Sequence, residues 1–159
     1  MKPIFILFLA IILSGCQQNT QEIEKLQNQI NLLEDKDSNS YKPGFGEFMG
    51  FIQGHHSKLW FAGINENWAL ADFEIHELEE GFEAIEKYQA GRKETQLIAT
   101  INPALDSVSA AIEERDLEKF KRSYNYLTVS CTDCHIKTNH EFIKITIPTQ
   151  PDYTNQVFN

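Results

Sequence analysis

An all-α protein is expected from three features of the chain. From residue 43 onward, apolar side chains recur at steps of three and four residues, which is the period of one helix face. Four such stretches follow one another with short turns between them, and short turns join antiparallel neighbours. The pattern remains helical throughout, with no internal repeat of solenoid length. The sequence therefore predicts an antiparallel four-helix bundle.

The first two predicted helices cover about residues 44–62 and 67–89. The first has a broad apolar face that includes Met49 and His56. Asn65 is a candidate N-cap for the second, whose apolar residues form a seam typical of packed helices. The opposite face of the second helix carries a run of glutamates, interpreted as solvent-exposed rather than metal-binding: Glu74, Glu77, Glu79, Glu80, Glu83 and Glu86.

The third predicted helix covers about residues 95–113, and Pro103 either kinks it or marks its true start. The fourth begins after Asp116, its expected N-cap. Apolar residues of the fourth helix continue at steps of three and four up to Cys131 and Cys134. Both thiols are therefore expected on the buried seam of the last helix.

Cys131-Thr132-Asp133-Cys134-His135 has the spacing C-x-x-C-H, the attachment signature of a c-type haem. Two thiols one helical turn apart can each add to a vinyl group of one porphyrin, and the adjacent histidine can reach the iron from the proximal side. The alternatives are a disulfide, a thioredoxin-like redox pair and a zinc site. Haem explains the histidine as well as both thiols. We expect one haem c per chain, on Cys131 and Cys134, with His135 as proximal ligand.

Residues 1–15 have the pattern of a lipoprotein signal peptide. An apolar run over residues 4–13 is short for a membrane span and follows a positively charged start. Leu13-Ser14-Gly15-Cys16 resembles the bacterial lipobox, and an ordinary signal peptide with a cysteine nearby is the alternative. The lipobox predicts that Cys16 is lipidated and anchors the protein to a bacterial membrane, facing the periplasm. Gln17 does not suggest inner-membrane retention, which favours the outer membrane.

The remainder of the chain divides into three parts. Residues 16–42 are a polar stalk, residues 43–144 the haem domain, and residues 145–159 an extended arm whose aromatic residues cover either the haem edge or the end of the bundle. The stalk is interpreted as a helical spacer, and a small coiled coil that pairs two chains into a homodimer is the alternative. Its apolar residues recur at the a and d spacing: Ile23, Leu26, Ile30 and Leu33.

The chain is acidic. Its formal charge is −9, and removing residues 1–15 removes the charge of Lys2 and takes it to −10. Without a basic patch, nucleic-acid binding is not expected, and contact with the membrane is expected through the lipid. An acidic surface favours a redox partner protein with a basic docking surface, although such a surface also serves plain solubility.

Four amphipathic helices with C-x-x-C-H on the last resemble the cytochrome c-prime and cytochrome c-556 family, which are four-helix bundles with haem attached near the C-terminus. The resemblance covers about residues 43–140. It implies that Cys131 and Cys134 are the thioether positions and His135 the proximal ligand. Met49 falls about where low-spin members place a methionine ligand. The chain departs from the family in having 24 residues after His135.

Electron transfer is the expected function, because no catalytic constellation accompanies the haem motif and the protein is not expected to be an enzyme. Binding of nitric oxide or carbon monoxide at an open haem position is an alternative, as is an accessory or sensor subunit of a membrane oxidoreductase. The distal ligand separates the first two. In an antiparallel bundle the first helix begins beside the end of the fourth. This ranks Met49 first, His56 second and an empty position third.

Overall fold

The computed structural model describes residues 21–36 and 41–159, and all regular secondary structure in these ranges is helical. The chain divides into two compact units between Lys42 and Pro43. The predicted signal peptide and Cys16 lie outside the described residues. Among the helices that the structure describes, none has the length and apolar character needed to cross a bilayer. The prediction of an all-α chain is confirmed for the described part.

In the first unit, a helix that we name α1 covers residues 21–36. Every residue of α1 is exposed. The Gln27 side-chain amide donates a hydrogen bond to the Asn31 side chain one turn later. A helix of this length is only marginally stable in water on its own. An apolar stripe along such a helix would stabilise it only if another surface covered the stripe. The stripe residues are 47–66% exposed: Ile23, Leu26, Ile30 and Leu33.

The second unit contains four α-helices around one apolar core. Helix α2 packs against α3 and α5, and α4 packs against the same two helices. Side chains that are fully buried in this core come from all four helices, as Leu59, Ile75, Val108 and Phe120 illustrate. The elements are α2 (Phe45–Ile64), α3 (Trp68–Tyr88), a 3₁₀-helix (Thr95–Ile101), α4 (Asn102–Glu113) and α5 (Leu117–Lys137).

The direction of α2 relative to its neighbours follows from contacts near the helix ends. Phe48 at the start of α2 stacks on Tyr88 at the end of α3, with ring centroids 6.4 Å apart. At the other end of α2, Gly63 lies directly against the ring of Phe120, which is near the start of α5. Helix α2 is therefore antiparallel to both α3 and α5, and the start of α2 lies beside the end of α5.

The helix boundaries confirm the predicted cap at Asp116 and correct the one at Asn65. The Asp116 carboxylate accepts a hydrogen bond of 2.9 Å from the Lys119 N–H at the start of α5, as expected. Pro103 lies in the first turn of α4, after the 3₁₀-helix, so it marks a start rather than a kink. Asn65 was predicted to cap α3, but it ends α2, and Asn67 accepts from the Leu70 N–H instead.

Three connections close with the same local structure. Glu66, Arg115 and Asn139 have positive φ angles of 56°, 51° and 62°. Each residue directly follows the C-cap residue of a helix, namely of α2, α4 and α5. After each of them the chain forms the paired backbone hydrogen bonds of a Schellman motif. The left-handed residue reverses the chain within two positions. At Glu66 and Arg115 this reversal joins two helices by a short turn, and at Asn139 it turns the chain back towards α5.

The prediction that the glutamates of α3 face the solvent is wrong for Glu74. Its side chain is only 1% exposed, and its Oε2 lies 2.6 Å from Nδ1 of His55 on α2. A buried carboxylate costs desolvation energy unless a partner compensates for it. The partner comes from a neighbouring helix, which helical periodicity along α3 alone does not reveal.

The C-terminal arm, residues 145–159, contains no helix. Phe158 is buried, and its ring centroid lies 5.7 Å from that of Phe61 on α2. The Lys58 ammonium lies 4.7 Å from the centre of the Tyr153 ring. The aromatic residues of the arm therefore pack along the side of α2. The two predicted positions, over a haem edge or over the end of the bundle, stay predictions.

Candidate functional site

A cavity of about 440 Å³ lies among the start of α2, the end of α5, the 3₁₀-helix and the segment that follows α5. Its volume is within the range of pockets that hold cofactors and other small ligands. The antiparallel order of α2 and α5 explains why residues distant in sequence meet here. All five non-lipid site residues predicted from the sequence line this cavity: Met49, His56, Cys131, Cys134 and His135.

Most of the remaining wall is apolar, as is usual for pockets that bind small molecules. The apolar residues come from α2, α3, the 3₁₀-helix and the segment after α5. They are Phe45, Ile52, Phe82, Leu97, Ile98, Ile101, Ile143 and Ile145.

Cys131 and Cys134 lie one turn apart on α5, are half-buried and are not joined in a disulfide. Burial, and to a lesser extent the neighbouring Cys134, raise the pKa of the Cys131 thiol to about 12. Burial likewise raises the pKa of the Cys134 thiol. Both sulfurs are therefore protonated thiols near neutral pH, at the border of an apolar space.

The imidazole of His135 is oriented by the chain that follows it. Its Nδ1 lies 3.0 Å from the backbone oxygen of Ile143. A carbonyl oxygen can only accept a hydrogen bond, so Nδ1 carries the proton and donates it. In the neutral imidazole, Nε2 is then the nitrogen that carries no proton and has a free lone pair. This is the tautomer that metal-binding histidines adopt when a backbone carbonyl fixes them.

The segment after the motif reaches this position through a local reversal. Asn139 adopts the left-handed conformation after α5, and the His140 N–H donates to the His135 oxygen at 2.7 Å. Farther on, the Ile145 N–H donates to the Thr132 hydroxyl oxygen at 3.1 Å, and that hydroxyl lies 3.2 Å from the Ile145 oxygen. A residue between the two cysteines therefore tethers the wall that covers them.

Met49 enters the cavity from the first turns of α2 and is half-buried. Gly46 and Gly50 line the cavity on either side of it, and a Cβ atom at either glycine would meet nothing within 4 Å. Met49 is therefore the one residue between these two glycines whose side chain lines the cavity. The thioether of methionine is a soft ligand that suits iron in a haem.

His56 lines the cavity about two turns farther along α2, and both of its ring nitrogens face hydroxyl groups. Nε2 lies 3.0 Å from the Thr128 hydroxyl, and Nδ1 lies 2.9 Å from the Tyr124 hydroxyl. The residue is 5% exposed, and burial lowers its pKa to about 4. These contacts favour a buried, neutral, hydrogen-bonded imidazole over a metal ligand.

A charged pair that sequence reasoning missed stands in the same wall. Arg92 follows α3, and its Nε donates to the Glu94 carboxylate at 3.2 Å. This hydrogen bond lowers the pKa of Glu94. The Arg92 guanidinium carbon also lies 5.1 Å from the centre of the Phe45 ring. The predicted topology contained a signal for this pair, because the end of α3 must lie beside the start of α2.

Searches for a metal-binding group among the described residues and for similar proteins gave no match. In residues 21–36 and 41–159, no group of three or more His, Cys, Asp or Glu side chains is arranged to hold a metal ion. No protein-family model, no curated protein and no solved structure matches the chain. The resemblance to cytochromes c-prime and c-556 therefore stays a prediction from the motif and the order of the helices.

Proposed function

We propose that the protein is a membrane-anchored periplasmic c-type cytochrome that carries one covalent haem c and transfers electrons. The observation that carries this proposal is the shared cavity. Cys131, Cys134 and His135 come from one helix and Met49 from another, yet all four border the same largely apolar space. In this proposal the protein is an electron carrier rather than an enzyme.

The residues around the cavity fit a haem in three respects. Thioether formation consumes thiols, and Cys131 and Cys134 are both free. Iron needs an unprotonated imidazole nitrogen, and the hydrogen bond to the Ile143 oxygen leaves Nε2 of His135 in that state. A porphyrin is mostly apolar, and so is the wall. These three properties together distinguish the site from an ordinary packing defect.

A bound haem would supply an iron atom that alternates between the ferric and ferrous states. The chain would hold the group through Cys131 and Cys134 and would orient His135 through the carbonyl of Ile143. The apolar wall would keep water from the cavity. Met49 would lie available on the opposite helix. In this proposal the protein contributes ligation, burial and local charge, which are the properties that set a reduction potential.

The rest of the chain supports the proposed location only through its sequence. The lipobox cysteine, Cys16, would anchor the protein, and export would bring the chain to the compartment where bacterial haem c is attached. The charge of −10 after removal of residues 1–15 suits a redox partner protein with a basic docking surface. Helix α1 would hold the haem domain away from the membrane, with pairing of two chains as the alternative.

Covalent attachment tests the proposal. We expect haem to stay with the wild-type protein through extraction with acidified acetone, because two thioether bonds hold it. Cys131→Ala and Cys134→Ala should each leave a single bond or no stable holoprotein. Cys16→Ser is the matched control, since it removes the third cysteine and should leave both bonds intact. Haem that is freely extracted from the wild type, or protein that binds none, would overturn the proposal.

A further inference from the structure

The charge along the cavity wall is unevenly distributed. Among the described residues that line the cavity, Arg92 is the one lysine or arginine. Its side chain is 49% exposed, whereas that of Glu94 is 11% exposed. Arg92 therefore reaches both the cavity and the solvent, and Glu94 is enclosed beside it.

Arg92 is held in place but keeps hydrogen-bond donors available. Its Nε–H is used by Glu94, and its guanidinium plane lies near the ring of Phe45. A guanidinium has five N–H donors, so the bond from Nε leaves four on the two terminal nitrogens. Those four form the planar fork that binds carboxylates in a bidentate manner.

A haem c brings two carboxylates to its site, and a carboxylate near an apolar wall is costly without a cationic partner. We infer that Arg92 binds a carboxylate of the bound haem, while Glu94 holds the guanidinium in position and partly offsets its charge. This inference rests on the proposed function, because it names the group that the same cavity would present to the cofactor.

The pair should then influence the reduction potential with opposite signs. Ferric haem carries one more positive charge than ferrous haem, so a nearby cation favours reduction and a nearby anion opposes it. Loss of the Arg92 charge should lower the midpoint potential. Loss of the Glu94 charge should raise it, and should also leave the guanidinium charge less compensated.

The test is the midpoint potential of the full-length holoprotein. We expect Arg92→Gln to reduce the equilibrium constant for reduction severalfold, up to about tenfold, where tenfold corresponds to about 59 mV for one electron. Glu94→Gln should shift the potential in the opposite direction. Lys93→Gln is the matched control: it removes the same charge from the adjacent residue, which is exposed and does not line the cavity. This control should change the equilibrium constant less than about twofold, because solvent screens exposed charges.

Each outcome decides the inference. Equal shifts for Arg92→Gln and Lys93→Gln would overturn it, because only general surface charge would then matter. If Arg92→Gln does not retain haem, Arg92→Lys decides: retention of haem in that variant supports a charge contact, and loss in both variants overturns it. A wild type without haem would instead contradict the proposed function, so the two failures are distinguishable.

Discussion

Met49 and His56 line the same cavity from successive parts of α2, but their surroundings differ. The ring nitrogens of His56 each lie within 3.0 Å of a hydroxyl, on Tyr124 and Thr128. Ligation through His56 would break one of these contacts, although each hydroxyl would keep the backbone oxygen to which it donates, that of His56 for Tyr124 and that of Tyr124 for Thr128. Ligation through Met49 would break no hydrogen bond described for it. The local chemistry therefore favours Met49 as the distal ligand.

Substitution of Met49 tests this choice. We predict that ferric wild-type holoprotein shows the methionine–iron charge-transfer band and that Met49→Ala loses it, because the sixth position is then open. Methionine ligation raises the potential relative to histidine, so the variant should also have a lower midpoint potential. His56→Gln, which retains a polar side chain, should keep the band.

Two results would contradict the Met49 assignment. An EPR spectrum of two histidine ligands that survives Met49→Ala and disappears in His56→Gln would make His56 the ligand. High-spin ferrous wild-type haem that binds carbon monoxide at once would indicate an empty position. That second result would favour gas binding over electron transfer.

The pKa of His56 predicts how stability depends on pH. Burial lowers this pKa from 6.5 in the unfolded chain to about 4 in the folded one. The unfolded state therefore binds more protons in this interval, and stability falls as pH decreases from about 6.5 towards 4. The shift corresponds to a loss of up to about 3 kcal/mol in the free energy of unfolding.

Urea unfolding at a series of pH values between 7 and 4 measures this loss. His56→Gln should flatten the dependence in that interval. The control is His76→Gln, because His76 is exposed and its pKa is raised by a hydrogen bond to the Asp72 oxygen, the opposite sign. A wild-type slope that His56→Gln leaves unchanged would show that other groups control acid unfolding.

The helices show which structural features the sequence predicts and which it does not. Periodicity predicted α2 and α3 to within two residues of their ends, and Asp116 was identified as a cap, because both signals are local in the chain. The third predicted helix began seven residues too early, since residues 95–101 form the 3₁₀-helix. The burial of Glu74 was not predictable in this way, since it depends on His55 from another helix. The same limit applies to the wall formed by Ile143 and Ile145, which depends on the reversal at Asn139 and on hydrogen bonds to the motif.

The packing of α2 on α5 depends on a glycine. A Cβ atom at Gly63 would overlap the ring of Phe120, which is fully buried. Overpacking of this kind costs about 1–3 kcal/mol, against a gain of about 1 kcal/mol from replacing a helical glycine by alanine. We predict that Gly63→Ala lowers the urea midpoint, because the helices must separate or the ring must leave its position.

Gly50→Ala is the matched control for that measurement. It makes the same substitution in the same helix, at a position where a Cβ atom meets nothing within 4 Å. It should leave the midpoint unchanged or raise it slightly through helix propensity. If Gly63→Ala is as stable as Gly50→Ala, the close approach of α2 to Phe120 is not a constraint on the fold.

At the scale of the whole molecule, some residues of the candidate site are predictable from the local sequence, and others only from the arrangement of the helices. The spacing of Cys131, Cys134 and His135 is local, so it could be recognised without a fold. The position of Met49 required only the antiparallel order of two helices. The same antiparallel order places the end of α3, and so Arg92 and Glu94, near the start of α2. Their contact with the cavity also depends on the path of the loop after α3, which periodicity does not predict because it describes helix faces.

Attachment of the protein to the membrane depends, in our interpretation, on one residue. No helix in residues 21–36 and 41–159 could cross a bilayer, and the apolar run over residues 4–13 belongs to the predicted signal peptide. A diacylglycerol with a third acyl chain on Cys16 would hold the chain firmly, because stable anchoring takes more than one chain. Electrostatic attachment is not expected for a chain with a charge of −10 after cleavage.

We therefore predict that wild-type protein sediments with membranes and is released by detergent but not by high salt, whereas Cys16→Ser is recovered in the soluble fraction. Cys131→Ala is the control, since it changes another cysteine and should leave the protein on the membrane. Retention of Cys16→Ser on membranes washed in high salt would contradict the lipid anchor. Such retention would point to an apolar contact made by the remaining chain, for which the exposed stripe of α1 is the part to test next.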